Sequence, residues 1–173
     1  MTIIIGIDPG LDGALAVLTH GGELIEIHDM PTLLDGAKGR RAVNPALFAG
    51  IVYSTQATRA FCELIGPRPT DGSAAAFGFG RSRGIIEGVL AAAGIPLAMI
   101  APPSWKRVAG IAPGKENKDS ARSVAISRWP SQAALFARKC DCDRAEAALI
   151  GFAGLMRVAG LHAQAPPHGE ARS

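Results

Sequence analysis

Four carboxylates stand at places in this chain where a carboxylate is costly. Asp8 ends the apolar, β-branched run Ile3-Ile4-Ile5-Gly6-Ile7, directly before Pro9-Gly10. Glu63 sits inside the apolar run Ala60-Phe61-Cys62-Glu63-Leu64-Ile65. Asp143 and Glu146, three residues apart, open an apolar stretch reaching to about Ala159. That spacing puts both on one helical face. An acid beside a packed core needs a partner, a hydrogen bond or a metal. Each also has a plainer reading. Asp8 can cap the Pro9-Gly10 turn. Glu63 can lie at an exposed edge. Asp143-x-x-Glu146 has the spacing of a capping box. Capping does not exclude ligation, because a helix N-terminus favours anionic groups.

The set as a whole points to a metal centre. If the first and fourth strands are parallel neighbours, Asp8 and Glu63 end side by side, and the last helix can bring Asp143 and Glu146 to the same point. All-oxygen ligands suit Mg²⁺ or Mn²⁺. Two such ions about 4 Å apart can activate a water and stabilise the leaving oxygen of a phosphodiester.

The elements that must position these acids follow from the chain's punctuation. Residues 3–7, 13–18 and 24–27 are short apolar runs split by Gly/Asp-rich breaks, which predicts three hairpin-linked strands. Residues 30–43 read as a polar loop with a basic cluster, Lys38, Arg40 and Arg41. Asn44-Pro45 is a helix start, and the helix is expected to reach about Arg59. A strand over 60–65 follows, with Phe61, Glu63 and Ile65 on one face and Ala60, Cys62 and Leu64 on the other. A helix is predicted from about Ser73 to Ala93, a strand over 95–101, a short helix near 104–109, and helices over 119–129 and from Asp143 onward. The order β-β-β-α-β-α-β-α-α predicts an α/β fold: a mixed five-stranded sheet, antiparallel hairpin strands first and parallel strands after, with helices on both faces. Residues 1–160 form one expected domain. Residues 161–173, rich in Pro, His, Gly and Ala, form an expected flexible tail.

With 173 residues and 48% hydrophobic content the chain can fill one core. Its net charge of +3 fits a polyanionic partner without demanding one. Setting the four acids aside leaves 11 of the 15 acidic side chains against 18 Lys and Arg, so the remaining surface is more basic than the total. Three cysteines do not make a disulfide framework, and Cys140-Asp141-Cys142 is too short for a usual zinc pair. Reduced thiols in a cytoplasm are the expectation. No basic region precedes Ile3 as in a signal peptide, and no apolar run reaches membrane-spanning length.

Ile5-Gly6-Ile7-Asp8-Pro9-Gly10, a Glu in the fourth strand, and Asp143-Arg144-Ala145-Glu146-Ala147-Ala148-Leu149, in that order, resemble the RuvC-type Holliday-junction resolvases of the RNase H-like superfamily. Gly78-Phe79-Gly80-Arg81-Ser82-Arg83-Gly84 resembles the family's Gly-x-x-x-Gly segment, and Pro102 to Lys106 and Lys118 its two lysine-bearing segments. The resemblance runs from about residue 3 to 158. Trp105-Lys106 and Arg144 to Ala147 look closer to prophage or phage-type members. It implies an RNase H-like fold and a crossover-junction endodeoxyribonuclease of DNA recombination and repair. It makes Asp8, Glu63, Asp143 and Glu146 catalytic, magnesium-binding acids, with Mn²⁺ as a substitute. It makes Lys106 and Lys118 candidates for contacting the scissile phosphate; the alternative for each is a solvated charge. Arg81, Arg83, Arg107 and Lys115 join them as candidate contacts to DNA phosphates. The implied assembly is a homodimer that nicks two opposed strands of a four-way junction.

The chain departs from the family pattern in places. Glu146 stands where Asp is commoner. Asp141 lies at a position that resembles the earlier place of the third acid in some members, so it can replace or assist Asp143. Gly66 stands where the housekeeping enzyme has a stacking aromatic, which leaves Phe77 or Phe79 as stand-ins. Competing readings are a nuclease for other branched DNA or hybrids, and a non-catalytic nucleic-acid-binding relative. An actin-like ATPase needs two such domains, and 173 residues leave no room.

Overall fold

The computed structural model describes residues 2–35, 39–66, 70, 72–111 and 119–160. The expected tail, Lys38, Lys115 and Lys118 lie outside the described residues.

The first strand, β1 (Ile3–Asp8), pairs antiparallel with β2 (Ala14–Thr19), which pairs antiparallel with β3 (Leu24–Asp29). A two-stranded hairpin follows, β4 (Thr32–Leu34) with β5 (Arg41–Val43). It replaces the middle of the expected polar loop; three-residue strands are too short to show an alternation. Helix α1 (Pro45–Thr55) is capped by Asn44, whose side chain accepts from the backbone N–H groups of Ala46 and Leu47. It ends four residues short of the expected Arg59. Gln56 turns left-handed at φ 52°, and Arg59 already belongs to β6 (Arg59–Glu63). Helix α2 (Ser73–Ala92), β7 (Leu97–Ile100), α3 (Pro102–Ala109), α4 (Ser120–Arg128) and α5 (Cys142–Val158) complete the chain, with two 3-10 turns at Pro130–Phe136 and Lys139–Asp141. Pro102-Pro103 opens α3 as well as ending the strand, because proline fits a first helical turn.

The sheet order is β3-β2-β1-β6-β7, with β1, β6 and β7 parallel. It is the mixed five-stranded sheet that the hydrophobic pattern predicts. One face is covered by α3, α4 and α5, through Trp105, Ala121, Ala125 and a run of buried alanines in α5. The other is covered by α1 and α2, through Phe48, Val52, Ile86 and Leu90. Strand alternation sends Ile5 and Ile7 to the α1/α2 side and Ile4 to the α5 side. Gly6 and Asp8 share the face of Ile4.

That parity sets up the functional end of the molecule. A Cβ on Gly6 would lie 2.2 Å from the Ala147 carbonyl oxygen and 2.5 Å from the Gly151 nitrogen. One on Gly154 would lie 2.1 Å from the Phe61 ring. Helix α5 therefore rests almost backbone to backbone on β1, and its Gly154 makes room for the Phe61 ring of β6. Two residues beyond Gly6, on the same face, Asp8 meets the first turns of that helix.

Candidate active site

β1 and β6 are parallel, with Ile7 opposite Cys62. Asp8 and Glu63, one residue further on, therefore finish their strands at the same level. Both are 8% exposed. The turn after Asp8 is tight: the Gly10 N–H donates to Asp8 Oδ1 at 3.2 Å, and a Cβ on Gly13 would lie 2.2 Å from the Asp8 carbonyl oxygen. Asp8 does hold the Pro9-Gly10 turn, as the plainer reading has it, and it also faces α5.

Three acids converge. Asp8, Asp143 and Glu146 each offer a carboxylate oxygen within 4.8 Å of the others. Burial pushes the Asp8 carboxyl up to about 7, and the negative charges of Glu146, Glu63 and Asp143 add to it. Burial, then Glu63 and Asp143, likewise push Glu146 up to about 7. Glu63 stands outside the tight trio but within its field. Its Oε1 accepts a 2.8 Å bond from the Trp105 indole N–H, and Trp105 is fully buried. Burial raises the Glu63 carboxyl, while the Trp105 bond and the Lys106 charge draw it down. Lys106 also draws Glu146 down, so it serves both acids. Its Nζ lies 5.6 Å from the Trp105 ring centroid.

The Asp143-x-x-Glu146 pair does not form the capping box that its spacing allows. Helix α5 already begins at Cys142, and its N-cap position is Asp141. Asp141 itself is 1% exposed and fully engaged. Its carboxylate accepts from the Arg138 N–H at 2.7 Å and from the Arg138 guanidinium at 2.8 Å. The Arg144 guanidinium lies 3.6 Å away. These bonds, led by that from the Arg138 side chain, hold Asp141 below the usual carboxylate range. Arg144 in turn grips Asp29 at the end of β3 with two bonds of 2.5 and 2.6 Å. The network ties the start of α5 to the sheet edge. Sequence reasoning missed it, although Arg138-x-x-Asp141-x-x-Arg144 carries a signal: charges of opposite sign every three residues.

The other candidate residues are placed as follows. Arg107 is exposed on α3. Arg81 pairs with Asp35, beyond the end of β4. Arg83 pairs with Glu87 one turn along α2 at 2.7 Å. Both arginines lie on α2, which covers the sheet face opposite α5, and the trio does not include them. Phe77 on α2 is 74% exposed.

Among solved structures, RuvC from Thermus thermophilus matches at 18% identity with a TM-score of 0.61, covering 92% of this chain and 97% of that one. The same protein in complex with a Holliday-junction substrate matches at 17% identity, TM-score 0.58, over the same shares. The yeast mitochondrial Holliday-junction resolvase Ydc2 matches at 14% identity, TM-score 0.52, covering 91% of this chain and 81% of that one. The fold is RuvC-type. No family model and no curated protein sequence matches the chain. No helix among the described residues is long and apolar enough to cross a membrane.

Proposed function

We propose that this protein is a metal-dependent endodeoxyribonuclease that cuts four-way or closely related branched DNA as a homodimer in the cytoplasm, in a prophage-type variant of the resolvase fold. One observation carries the reading: Asp8, Asp143 and Glu146 meet within 4.8 Å at the open end of the sheet, with Glu63 alongside, in a fold whose solved examples include Holliday-junction resolvases. The donor set fits hard divalent cations, because its ligand atoms are all carboxylate oxygens. Carboxyls pushed up to about 7 by burial and mutual repulsion are acids short of countercharge. Asp8, Asp143, Glu146 and Glu63 would hold Mg²⁺ or Mn²⁺, two ions in the usual arrangement. Bound there, the cations supply an activated water and stabilise the leaving oxygen of a phosphodiester.

The rest is done by the chain's own residues. Trp105 fixes the Glu63 carboxylate through one hydrogen bond and excludes water from its inner side. Lys106, beside both glutamates, is placed to meet a non-bridging phosphate oxygen. Arg107 offers backbone phosphates a sequence-independent hold. Lys115 and Lys118, with Arg81 and Arg83, remain candidate contacts to DNA phosphates. A four-way junction is two-fold symmetric, so a closed dimer matches it with one active site per nicked strand. The start of α2, from Ala74, Ala75 and Ala76 to Phe77 and Phe79, is the candidate dimer face, with Ala74, Ala75 and Phe77 exposed.

The test is cleavage of a synthetic four-way junction beside linear duplex, Y-fork and RNA/DNA hybrid, with Mg²⁺ and with Mn²⁺. Paired nicks on the junction, absent with Asp8→Asn, support the proposal. Preference for a fork or hybrid selects the broader nuclease reading. Binding without cleavage under every condition selects a non-catalytic protein.

A further inference from the structure

A cleft of about 470 Å³ opens beside the acid trio, toward the β3 edge of the sheet. That volume falls in the range of ligand sites, about 300–1,000 Å³. Its walls come from the β1–β2 turn, the end of β3, the β4–β5 hairpin and the start of α5, and Asp143 belongs to both cleft and trio. Arg41, Arg138 and Arg144 all line it.

The three arginines are not equivalent. Arg144 is mostly buried and bonded on both sides, to Asp29 and toward Asp141, so it holds the fold. Among the described residues Arg41 pairs with Asp12 at 2.5 Å, and both side chains are open to water, 44% and 76% exposed. Arg138 spends Nε and Nη2 on Asp141, while its Nη1 has no partner among the described residues and its side chain is 64% exposed. The Arg41–Asp12 pair, exposed at both ends, holds weakly, while Arg138 keeps one guanidinium nitrogen to spare. A phosphate offers a guanidinium a charge-assisted, two-pronged alternative.

We infer that this cleft is a second anchoring subsite for the substrate strand, taking its sugar–phosphate backbone on Arg41 and Arg138; this rests on the nuclease reading above. Lys106 lies on one side of the acids, near Glu63 and Glu146. The two arginines line the cleft toward β3, whereas Glu63 ends β6, on the other side of β1. A strand crossing the acids is then held by cations on both sides. A strand held on one side pivots. Two holds fix the phosphodiester between them, and orientation of that kind is a large part of catalytic rate.

Arg41 and Asp12 provide a test that a merely structural ion pair would fail. Arg41→Ala and Asp12→Asn break the same pair. If the pair only braces the hairpin, both variants shift in the same direction. If Arg41 takes phosphate, Arg41→Ala weakens binding and Asp12→Asn, which frees Arg41, tightens it. The measurement is affinity for a synthetic four-way junction, in chelator to block cleavage, across a salt series. Arg41→Ala should lose affinity several-fold and lower the log–log salt slope by about one. Arg138→Gln, checked for folding by its thermal transition, should lower the slope by a similar amount. Arg157→Ala is the control: it removes the same charge near the far end of α5, roughly 21 Å from Asp143 at 1.5 Å per residue. Shifts of the same sign in Arg41→Ala and Asp12→Asn, or equal losses in Arg41→Ala and Arg157→Ala, overturn the subsite and leave the nuclease reading standing. A wild-type protein that binds no nucleic acid overturns both.

Discussion

The Trp105 indole N–H donates to Glu63 Oε1 at 2.8 Å, from a ring with no solvent exposure. The bond spans from α3 to the end of β6 and favours the charged carboxylate against the burial that disfavours it. Hydrogen bonds to charged groups are worth about 1.5–3 kcal/mol. Trp105→Phe keeps the apolar body and removes the donor. The expected result is a further rise of the Glu63 carboxyl, since the bond that draws it down is gone. Cleavage should fall at neutral pH and recover in part at higher pH, read from single-turnover rates across pH. A loss of rate independent of pH would assign Trp105 to packing alone.

Acid crowding makes the metal-free fold sensitive to pH, and the sign is fixed. Asp8 titrates at about 7 in the fold against an ordinary 3.8. Its folded form holds a proton that the unfolded chain has released, so stability falls as pH rises from about 4 through 7. Glu146, also pushed to about 7, acts in the same window. Asp141 acts oppositely and lower down: held below the usual range, it gives up its contribution as pH drops below about 4. Thermal transitions in chelator should therefore decline from pH 5 to pH 8. Millimolar Mg²⁺ should flatten the decline, and Asp8→Asn should flatten it without metal. A chelated protein whose transition rises over that interval would contradict the crowded site.

Asp141 and Asp143 are two residues apart with opposite surroundings. Asp141 is locked between Arg138 and Arg144, whereas Asp143 reaches the trio with Asp8 and Glu146. Asp143→Asn should abolish cleavage and weaken Mg²⁺ binding, measured by calorimetry, with little change in the thermal transition. Asp141→Asn should cost about 1–3 kcal/mol of stability, since it weakens charge-assisted bonds to a buried group. It should keep measurable cleavage at low temperature. The reverse order of effects would move the third acid to Asp141.

How much of this was legible in the sequence depends on how local each signal is. Asp8 stands out because a β-branched run stops at Asp-Pro-Gly. Strand alternation alone puts Glu63 on the face of Phe61, and its bond to Trp105, which packs in the same cluster as Phe61, places it there. The role of Asp141 was not legible, because it depends on a 3-10 turn at residues 139–141 that folds Arg138 back onto its carboxylate. The β4–β5 hairpin was missed because its strands are three residues long, and it carries Arg41 to the cleft. The end of α1 was misplaced because Gln56, an ordinary helix former, takes a left-handed turn that Thr55 supports with a bond to the Ala57 N–H.

The closeness of α5 to β1 rests on a missing side chain. A Cβ at Gly6 would sit 2.2 Å from backbone that cannot swing away. Gly6→Ala should cost about 1–3 kcal/mol, the usual range for overpacking. It should also lift Asp143 and Glu146 away from Asp8. Loss of metal affinity beyond what the drop in stability explains, in protein shown to be folded, is the signature. Gly78→Ala, with open space around its Cβ, is the matched control and should be neutral or stabilising.

Phe77 decides between two uses of the start of α2. It is 74% exposed, and the buried residues of the helix, Ser82, Ile86 and Leu90, all lie further along. An exposed aromatic among small residues suits a self-complementary helix contact, and it equally suits stacking on an unpaired base. Phe77→Ser separates them. If the face joins two copies, sedimentation at micromolar concentration should show dimer in the wild type and monomer in the variant. Junction cleavage should then change from paired to single nicks. If Phe77 stacks on a base, the variant should remain dimeric and lose affinity for the junction while keeping affinity for linear duplex. A wild-type monomer that still makes paired nicks would sink the dimer, because two cuts fixed in relation to each other need two sites fixed in relation to each other.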